Sequence, residues 1–347
     1  MSDTGNVIDV EQLSVHYRVR GQSGKRWAEL CAVNDLSFNL GHKETLGLVG
    51  ESGCGKSTVG MAVQGLVKSS AGRILFEGVD LNSLRGEERR RVRRRMQLVF
   101  QDPTSSLNAR MLIEELLLEP MIVHHLHSES ERDKRVGQLL NAVGLPNSTR
   151  DRYPHELSGG QRQRVALARA LAVDPELIIC DEPVTALDVS VRAQVLNLFA
   201  DLQKEFGVSY LFVSHDLGAV YHLAHRVLVM YLGRAVELTD RTSLFEDPLH
   251  PYTKALLAAV PSIEVDGSVQ TRRIIEGEIP SAIDPPSGCV FRTRCPRAEA
   301  LCATEVPQWR DVGTIDQPHW VACHFADPPR TTSVSLRSDA KSNGAGR

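Results

Sequence analysis

No window of the 347-residue sequence approaches the ~18 consecutive apolar residues that a membrane-spanning helix requires. By itself the chain is therefore not expected to cross a bilayer. The opening MSDTGNVIDVEQ has neither the positive n-region nor the apolar h-region of a secretory leader, so a cytosolic location is expected. Net charge is nearly missing as well: forty Lys and Arg stand against forty-three Asp and Glu, leaving −3. No bulk field draws such a chain onto nucleic acid or anionic lipid, and partners must be chosen by local features. The seven cysteines contain no CxxC pair, which removes the spacing of a zinc ribbon. Cys31, Cys54 and Cys180 are isolated, whereas Cys289, Cys295, Cys302 and Cys323 crowd near the C-terminal end, unlike the even spread of a secreted disulfide scaffold. No heptad repeat is sustained. The length has room for one large domain and a smaller one.

What is present begins with two partly alternating segments, residues 7 to 20 and Val33 to Leu40, which read as antiparallel strands. Tyr17 in the first is either an ordinary strand aromatic or a stacking platform for a planar ring. Thr45 to Val49 is a short apolar run, and it leads into GESGCGKST at Gly50 to Thr58. That is the strand, glycine-rich loop and helix of a phosphate-binding P-loop. Its glycines, Gly50, Gly53 and Gly55, let backbone N–H groups turn toward phosphate oxygens beside Ser52 and Thr58. Lys56 neutralises phosphate charge, Ser57 can ligate magnesium, and the opening helix adds its positive end. Cys54 inside the loop reads as a small filler.

Arg85 to Arg95, RGEERRRVRRR, is the densest basic run. Glu87 and Glu88 interrupt it and no aromatics interleave, so a solvated helix face is expected in preference to a nucleic-acid surface. Met96 to Phe100 reads as a strand ending at Gln101, whose amide can reach a metal or an attacking water. Residues 104 to 156 are rich in helix formers, with apolar residues at Leu112, Ile113, Leu116 and Leu117 and again at Val136, Leu139, Leu140 and Val143. A helical insertion that moves against the phosphate-binding core is expected. His124, His125 and His127 lack Cys or carboxylate partners nearby and read as a loop.

Leu157 to Gln161 is LSGGQ, and Ser158 is placed to cap a helix running to about Ala172. Ser158, Gly159, Gly160 and Gln161 form a second anion-binding helix end in the same chain. Leu177 to Cys180 is the continuous apolar run of a buried parallel strand, and it ends in Asp181 and Glu182. Asp181 suits magnesium, and Glu182 suits a water that attacks a phosphate. Ala186-Leu187-Asp188 follows, then a helix through Val195, Leu198 and Leu202, and a strand at Tyr210 to Val213 that ends near His215. A strand end in a parallel α/β sheet is where groups that contact ligand belong.

With all these segments in order, residues 7 to 245 resemble the nucleotide-binding subunit of ABC transporters, LSGGQ followed by LIICDE being the most specific part. The resemblance implies an α/β fold: a P-loop ATPase core with an antiparallel β subdomain, a helical subdomain at about 102–157 and a small Cys-containing C-terminal extension. It implies ATP and Mg2+ as ligands, with Tyr17 stacking on adenine and magnesium held by Ser57, Gln101 and Asp181. It makes Gln101 the coupling loop, His215 the γ-phosphate switch and Asp188 part of the dimer loop, and it offers Ser158 to Gln161 to ATP bound by a second subunit.

LHPYTKALLAAVP at Leu249 to Pro261, the Cys-rich segment after it and the loop at 21 to 32 resemble the oligopeptide/dipeptide importer ATPases. The expected domains are 1–245 for the ATPase, 246–330 for the extension and 331–347 for a polar, disordered tail. The resemblance implies two transmembrane permease subunits, a second ATPase subunit, an extracytoplasmic solute-binding protein acting indirectly, no nucleic acid, and a peripheral position on the cytoplasmic face of the plasma membrane. Cargo is expected to be di- or oligopeptides, with nickel complexes or another small solute as the alternative within the family. A soluble ABC ATPase acting on DNA or ribosomes, or a module sensing metal or redox state through its tail, are the rivals from other classes. Some members of the resembling family carry a [4Fe-4S] cluster in this tail. Cys289, Cys295, Cys302 and Cys323 could supply one, could hold zinc, or could be reduced thiols. In each case the extension is expected to stand outside the ATPase core.

Overall fold

The computed structural model describes residues 5–20, 27–102, 106–259 and 277–326. The expectations for residues 21–26, for Val260 and Pro261, and for 331–347 lie outside the described residues. Among the described residues no helix is long and apolar enough to cross a membrane.

Two sheets make the frame. The first is antiparallel, in the order β2-β1-β4-β5, with β1 at Asn6–Arg20, β2 at Trp27–Gly41, β4 at Ala71–Phe76 and β5 at Val79–Asp80. β2 begins earlier than the expected Val33, because its first residues pair with the far end of β1, Arg20 opposite Trp27 and Tyr17 opposite Leu30. No β2 residue from Trp27 to Ala32 is fully buried, so that half of the hairpin carries no clear apolar alternation to read.

The second sheet runs β11-β12-β10-β9-β3-β8-β7-β6. Its parallel part is β3 (Thr45–Val49), β6 (Met96–Val99), β7 (Leu177–Asp181), β8 (Ser209–Val213) and β9 (Arg226–Tyr231). These strands are continuous apolar runs because both faces are covered. Successive side chains point to opposite faces: Leu177, Ile179 and Leu211 enter the core shared with the antiparallel sheet, and Ile178, Cys180, Tyr210 and Phe212 the core beneath the helices. There Phe199 sits edge-on to Tyr210 and Phe212, with ring centroids 5.3 and 5.7 Å away.

The helices are α1 (Lys56–Val63), α2 (Gly86–Arg95), α3 (Ile113–Val123), α4 (Glu129–Ala142), α5 (Gly159–Leu171), α6 (Val189–Phe206), α7 (Leu217–Leu223), α8 (Arg241–Glu246), α9 (Pro251–Ala258) and α10 (Leu301–Thr304). α3 and α4 bury the apolar positions read from the spacing, Ile113, Leu116 and Leu117 on one and Val136, Leu139 and Leu140 on the other. His124, His125 and His127 lie in the turn between them. The arginine-rich α2 buries no residue, and its charges follow the helix dipole, with Glu87 and Glu88 in the first turn and Arg93 to Arg95 in the last. Several of its basic groups have protein partners: Arg89 and Arg93 donate to the Gly65 carbonyl at 2.9 and 2.8 Å, and Arg95 pairs with Glu176.

The C-terminal extension is joined to the core. β10 (Arg234–Asp240) pairs with β9 and with β12 (Trp320–Val321), which pairs with β11 (Arg310–Asp311), so the extension continues the main sheet at its edge. Glu237 on β10 is the polar pin of this junction. Its carboxylate takes the N–H groups of Leu249 and His250 at 2.7 and 2.9 Å and lies 2.7 Å from His319 Nε2. Burial alone would raise this carboxyl, but hydrogen bonds from His319 and the Leu249 N–H outweigh it and hold it below its ordinary value. A depressed carboxyl contributes stability above the unfolded pKa of about 4.3, and loses it as pH falls further through the folded value. Glu237→Leu removes the acceptor and strands three buried donors. It is expected to lower unfolding stability by about 3 to 5 kcal/mol in urea titration, and the acid loss assigned to this carboxyl should disappear with it.

Candidate functional site

The phosphate loop leaves β3 at Gly50 with φ 154°. A Cβ there would fall 2.2 Å from the Met230 carbonyl oxygen, so the close approach of the loop to β9 requires glycine. Lys56 is buried, and its ammonium donates to the carbonyls of Gly50 at 2.8 Å and Glu51 at 3.0 Å. Cys54 packs within the loop, and burial pushes its thiol up against the opposing pull of Lys56. It is a protonated filler, while Ser52 and Gly53 lie at the exposed rim.

Ser57 and Asp181 meet across the sheet: the Ser57 hydroxyl donates to Asp181 Oδ1 at 2.9 Å. Burial raises the Asp181 carboxyl, with Ser57 acting against that shift. A hydroxyl and a desolvated carboxylate are the hard oxygen donors that magnesium takes, together with phosphate oxygens, so this donor set fits the ion.

The ends of β6, β7 and β8 converge on Glu182. Gln101 follows β6, Glu182 follows β7 and His215 follows β8. Gln101 Nε2 donates to Glu182 Oε2 at 3.2 Å, and His215 Nδ1 lies 3.0 Å from Glu182 Oε1. Glu182 has φ 48°, the left-handed region, and its N–H is tied to the Val213 carbonyl at 2.9 Å. Strain of this kind in a non-glycine residue persists only where the surroundings over-determine it. The result is a fixed carboxylate, mostly shielded, beside a half-exposed imidazole.

LSGGQ forms a separate helix end. Ser158 caps α5 as its oxygen accepts the Gln161 N–H at 3.3 Å, and Gln161 Oε1 accepts the Ser158 N–H at 3.0 Å. The Ser158 hydroxyl proton remains available to an anion. A Cβ on Gly160 would lie 2.4 Å from Val191 Cγ1, so this glycine lets α5 pack against α6, with Gly159 beside Leu187. Asp188 precedes α6 and is exposed, with no side-chain hydrogen bond to the helix end. Tyr17 lies on β1, half-buried against the antiparallel-sheet core.

Cys289, Cys295, Cys302 and Cys323 line one small cavity with His250 and Phe291. The Cys289 thiol is pushed up to about 11 by burial. Among the described residues no three such side chains converge as a site for a single metal ion.

Two contributors, Thr185 and Arg192, were not read from the sequence. The Thr185 hydroxyl donates to Glu182 Oε2 at 3.3 Å. Arg192 binds Asp216 Oδ2 at 2.6 Å and the Leu187 carbonyl at 3.2 Å, linking the loop before α6 to the segment that carries His215. Arg192 lies one helical turn beyond Asp188, a spacing that signals a shared face. Nothing in the sequence pattern marks Thr185.

A P-loop after β3, an acid pair after β7 with β8 between the two strands, and a capped glycine helix define an ATP-binding cassette, a class of P-loop ATPase. Residues 33–185 match the family described as ABC transporter, and residues 236–302 match the oligopeptide/dipeptide transporter C-terminal region. The chain is 48% identical over 322 residues to the oligopeptide transport ATP-binding protein AppF of Bacillus subtilis, covering 92% of this chain and 97% of the relative. It is also 48% identical over 330 residues to OppF of Salmonella typhimurium, another oligopeptide transport ATP-binding protein, covering 93% and 97%. In structure it is similar to cbiO1 of Clostridium perfringens, with TM-score 0.61, 28% identity, and 70% and 92% of the two chains covered. A dimeric post-hydrolysis cassette bound to ADP and phosphate gives TM-score 0.60, 27% identity, and 67% and 98% coverage. The chain belongs to the ATP-binding subunits of the ABC transporter family, and it hydrolyses ATP in service of transport.

Proposed function

We propose that the chain powers import of di- and oligopeptides, as one of two cassettes seated beneath two permease subunits on the cytoplasmic face of the membrane, with an extracytoplasmic binding protein delivering the solute. The observation that carries this reading is the extension: residues 236–302 are similar to the oligopeptide/dipeptide transporter C-terminal region. The names of the relatives, oligopeptide transport and peptide import ATP-binding proteins, support it.

In this mechanism Lys56 and the loop N–H groups hold the ATP phosphates, and Tyr17 stacks on adenine. Ser57, Asp181 and Gln101 would hold magnesium, which would neutralise phosphate charge. Glu182, oriented by Gln101, Thr185 and His215, accepts a proton from the attacking water. Ser158, Gly159, Gly160 and Gln161 of one cassette donate to the γ-phosphate held by the other, with Asp188 at the junction. Closure then depends on that phosphate, and its loss reopens the pair. Deleting the gene and following uptake of labelled di- and tripeptides is the test. Loss of peptide uptake, restored by the gene on a plasmid, is the expected result. Unchanged peptide uptake with lost nickel uptake would overturn the cargo.

The four cysteines are assigned to a [4Fe-4S] cluster, which would supply a rigid cross-link of the extension and no part of hydrolysis. What supports the assignment is that four thiols, the ligand number such a cluster takes, line one cavity. Anaerobically purified full-length chain is expected to contain about four iron and four acid-labile sulfide per chain. Zinc at about one per chain, or neither metal, would reject the cluster.

A further inference from the structure

The phosphate loop is gripped from the far end of the chain. Arg294, immediately before Cys295, has a side chain only 4% exposed and meets Glu51 as a two-pronged fork. Its Nη1 donates to Glu51 Oε2 at 2.7 Å and its Nη2 to Oε1 at 3.0 Å, while Nη1 also lies 3.3 Å from the Tyr231 hydroxyl. Glu51 is the second residue of the phosphate loop. Its backbone N–H donates to the Tyr252 hydroxyl at 2.8 Å, and its carbonyl accepts from Lys56 at 3.0 Å.

One loop residue is therefore held at its side chain by Arg294 and at its N–H by Tyr252, and in turn holds the phosphate-binding lysine. The holders are themselves fixed. Tyr231, Tyr252 and Phe291 pack together, with ring centroids 4.7 to 5.3 Å apart, and the Arg294 guanidinium lies 5.8 Å from the Tyr231 ring. The Cys31 N–H donating to the Ala282 carbonyl at 3.3 Å ties the extension to β2 beside Ala32, whose carbonyl oxygen would lie 2.2 Å from a Cβ on Gly55 of the loop.

We propose that Arg294 is a positioning residue for nucleotide binding: by holding Glu51 it fixes the loop carbonyls that place Lys56, so the cysteine-bearing extension sets the affinity of the ATP site. A forked guanidinium–carboxylate pair fixes direction as well as distance. A loop ordered before the ligand arrives binds it more tightly than one ordered on binding. The grip exists whatever the four thiols bind and whatever the cargo is.

The alternative is a clasp that only fastens the extension to the core. Titration calorimetry of magnesium-ADP into the full-length chain separates the two, with thermal unfolding measured alongside. Glu51→Gln and Arg294→Met are each expected to weaken ADP about tenfold, the double variant no more than the weaker single, and Arg294→Lys to recover part of the loss. A clasp would lower the unfolding temperature and leave ADP affinity within about twofold of the parent; that result overturns the proposal. So do additive losses near a hundredfold in the double variant, which would mean that the two residues act separately. If Arg294→Met does not fold, Glu51→Gln decides alone, because it keeps the extension intact and removes only the charge on the loop.

Discussion

Replacing Glu182 by Gln is expected to slow steady-state ATP hydrolysis by about a thousandfold, within the range a positioned acid–base group contributes, while ATP binding is retained. The amide has the same shape. Its oxygen can still accept from Gln101 or Thr185, which lie 3.2 and 3.3 Å from Oε2, and the backbone bond from Glu182 to Val213 is untouched. What vanishes is the proton acceptor for the attacking water. The substitution also removes a negative charge beside Asp181, a carboxyl already raised by burial and by the proximity of Glu182. Repulsion at the γ-phosphate therefore falls, and binding should hold or tighten. Phosphate release measures the rate, and calorimetry with ATP measures the affinity. Gel filtration in magnesium-ATP should show the paired form accumulating. Turnover within about threefold of the parent would remove Glu182 from the role of base, and the search would pass to Gln101 and His215 as the groups that hold the water.

Four of the parallel strands, β3, β6, β7 and β8, and the loops after them could be read from the chain because each signal is local, whereas β9 at Arg226–Tyr231 was not. LIIC is a buried strand in any context where both faces are covered, and GESGCGKST fixes its own turn through glycines at specified positions. The cap of α5 is equally local, since Ser158 and Gln161 complete one another within a single turn. The convergence of Gln101, Glu182 and His215 was legible at one remove, since strand ends in a parallel sheet point to one edge. The grip of Arg294 on Glu51 was not legible. It joins residues 243 positions apart, through an arginine that in sequence looks like surface charge between cysteines. The junction of the extension with the main sheet was not legible for the same reason, because β12 adds to β10 through pairing that no periodicity announces. The first half of β2 escaped because none of its residues from Trp27 to Ala32 is fully buried, which leaves no apolar face to alternate.

Ser158→Arg is expected to abolish most ATP hydrolysis, by about a hundredfold or more, while affinity for ADP stays within about threefold. The serine oxygen caps α5, and its loss costs about 1 kcal/mol of helix stability, too little to unfold the chain. The long side chain then occupies the rim where the capped helix end would meet phosphate. Its effect on a single chain's nucleotide binding should be small, because the polar contacts of Ser158 and Gln161 are to each other, and the phosphate loop lies at the end of β3. Between identical cassettes the shared-site arrangement makes a sharper claim. Mixing Ser158→Arg chains with Glu182→Gln chains gives pairs in which one site carries both defects and the other carries neither. Two nearly inactive preparations should then recover turnover when combined in equal amounts, to about a quarter of the parent with random pairing if each site fires alone. If LSGGQ served the phosphate loop of its own chain, every site in the mixture would retain one defect. The mixture would then be no more active than its parts, and the proposal that this helix end belongs to the partner's ATP would fail for a pair of identical chains.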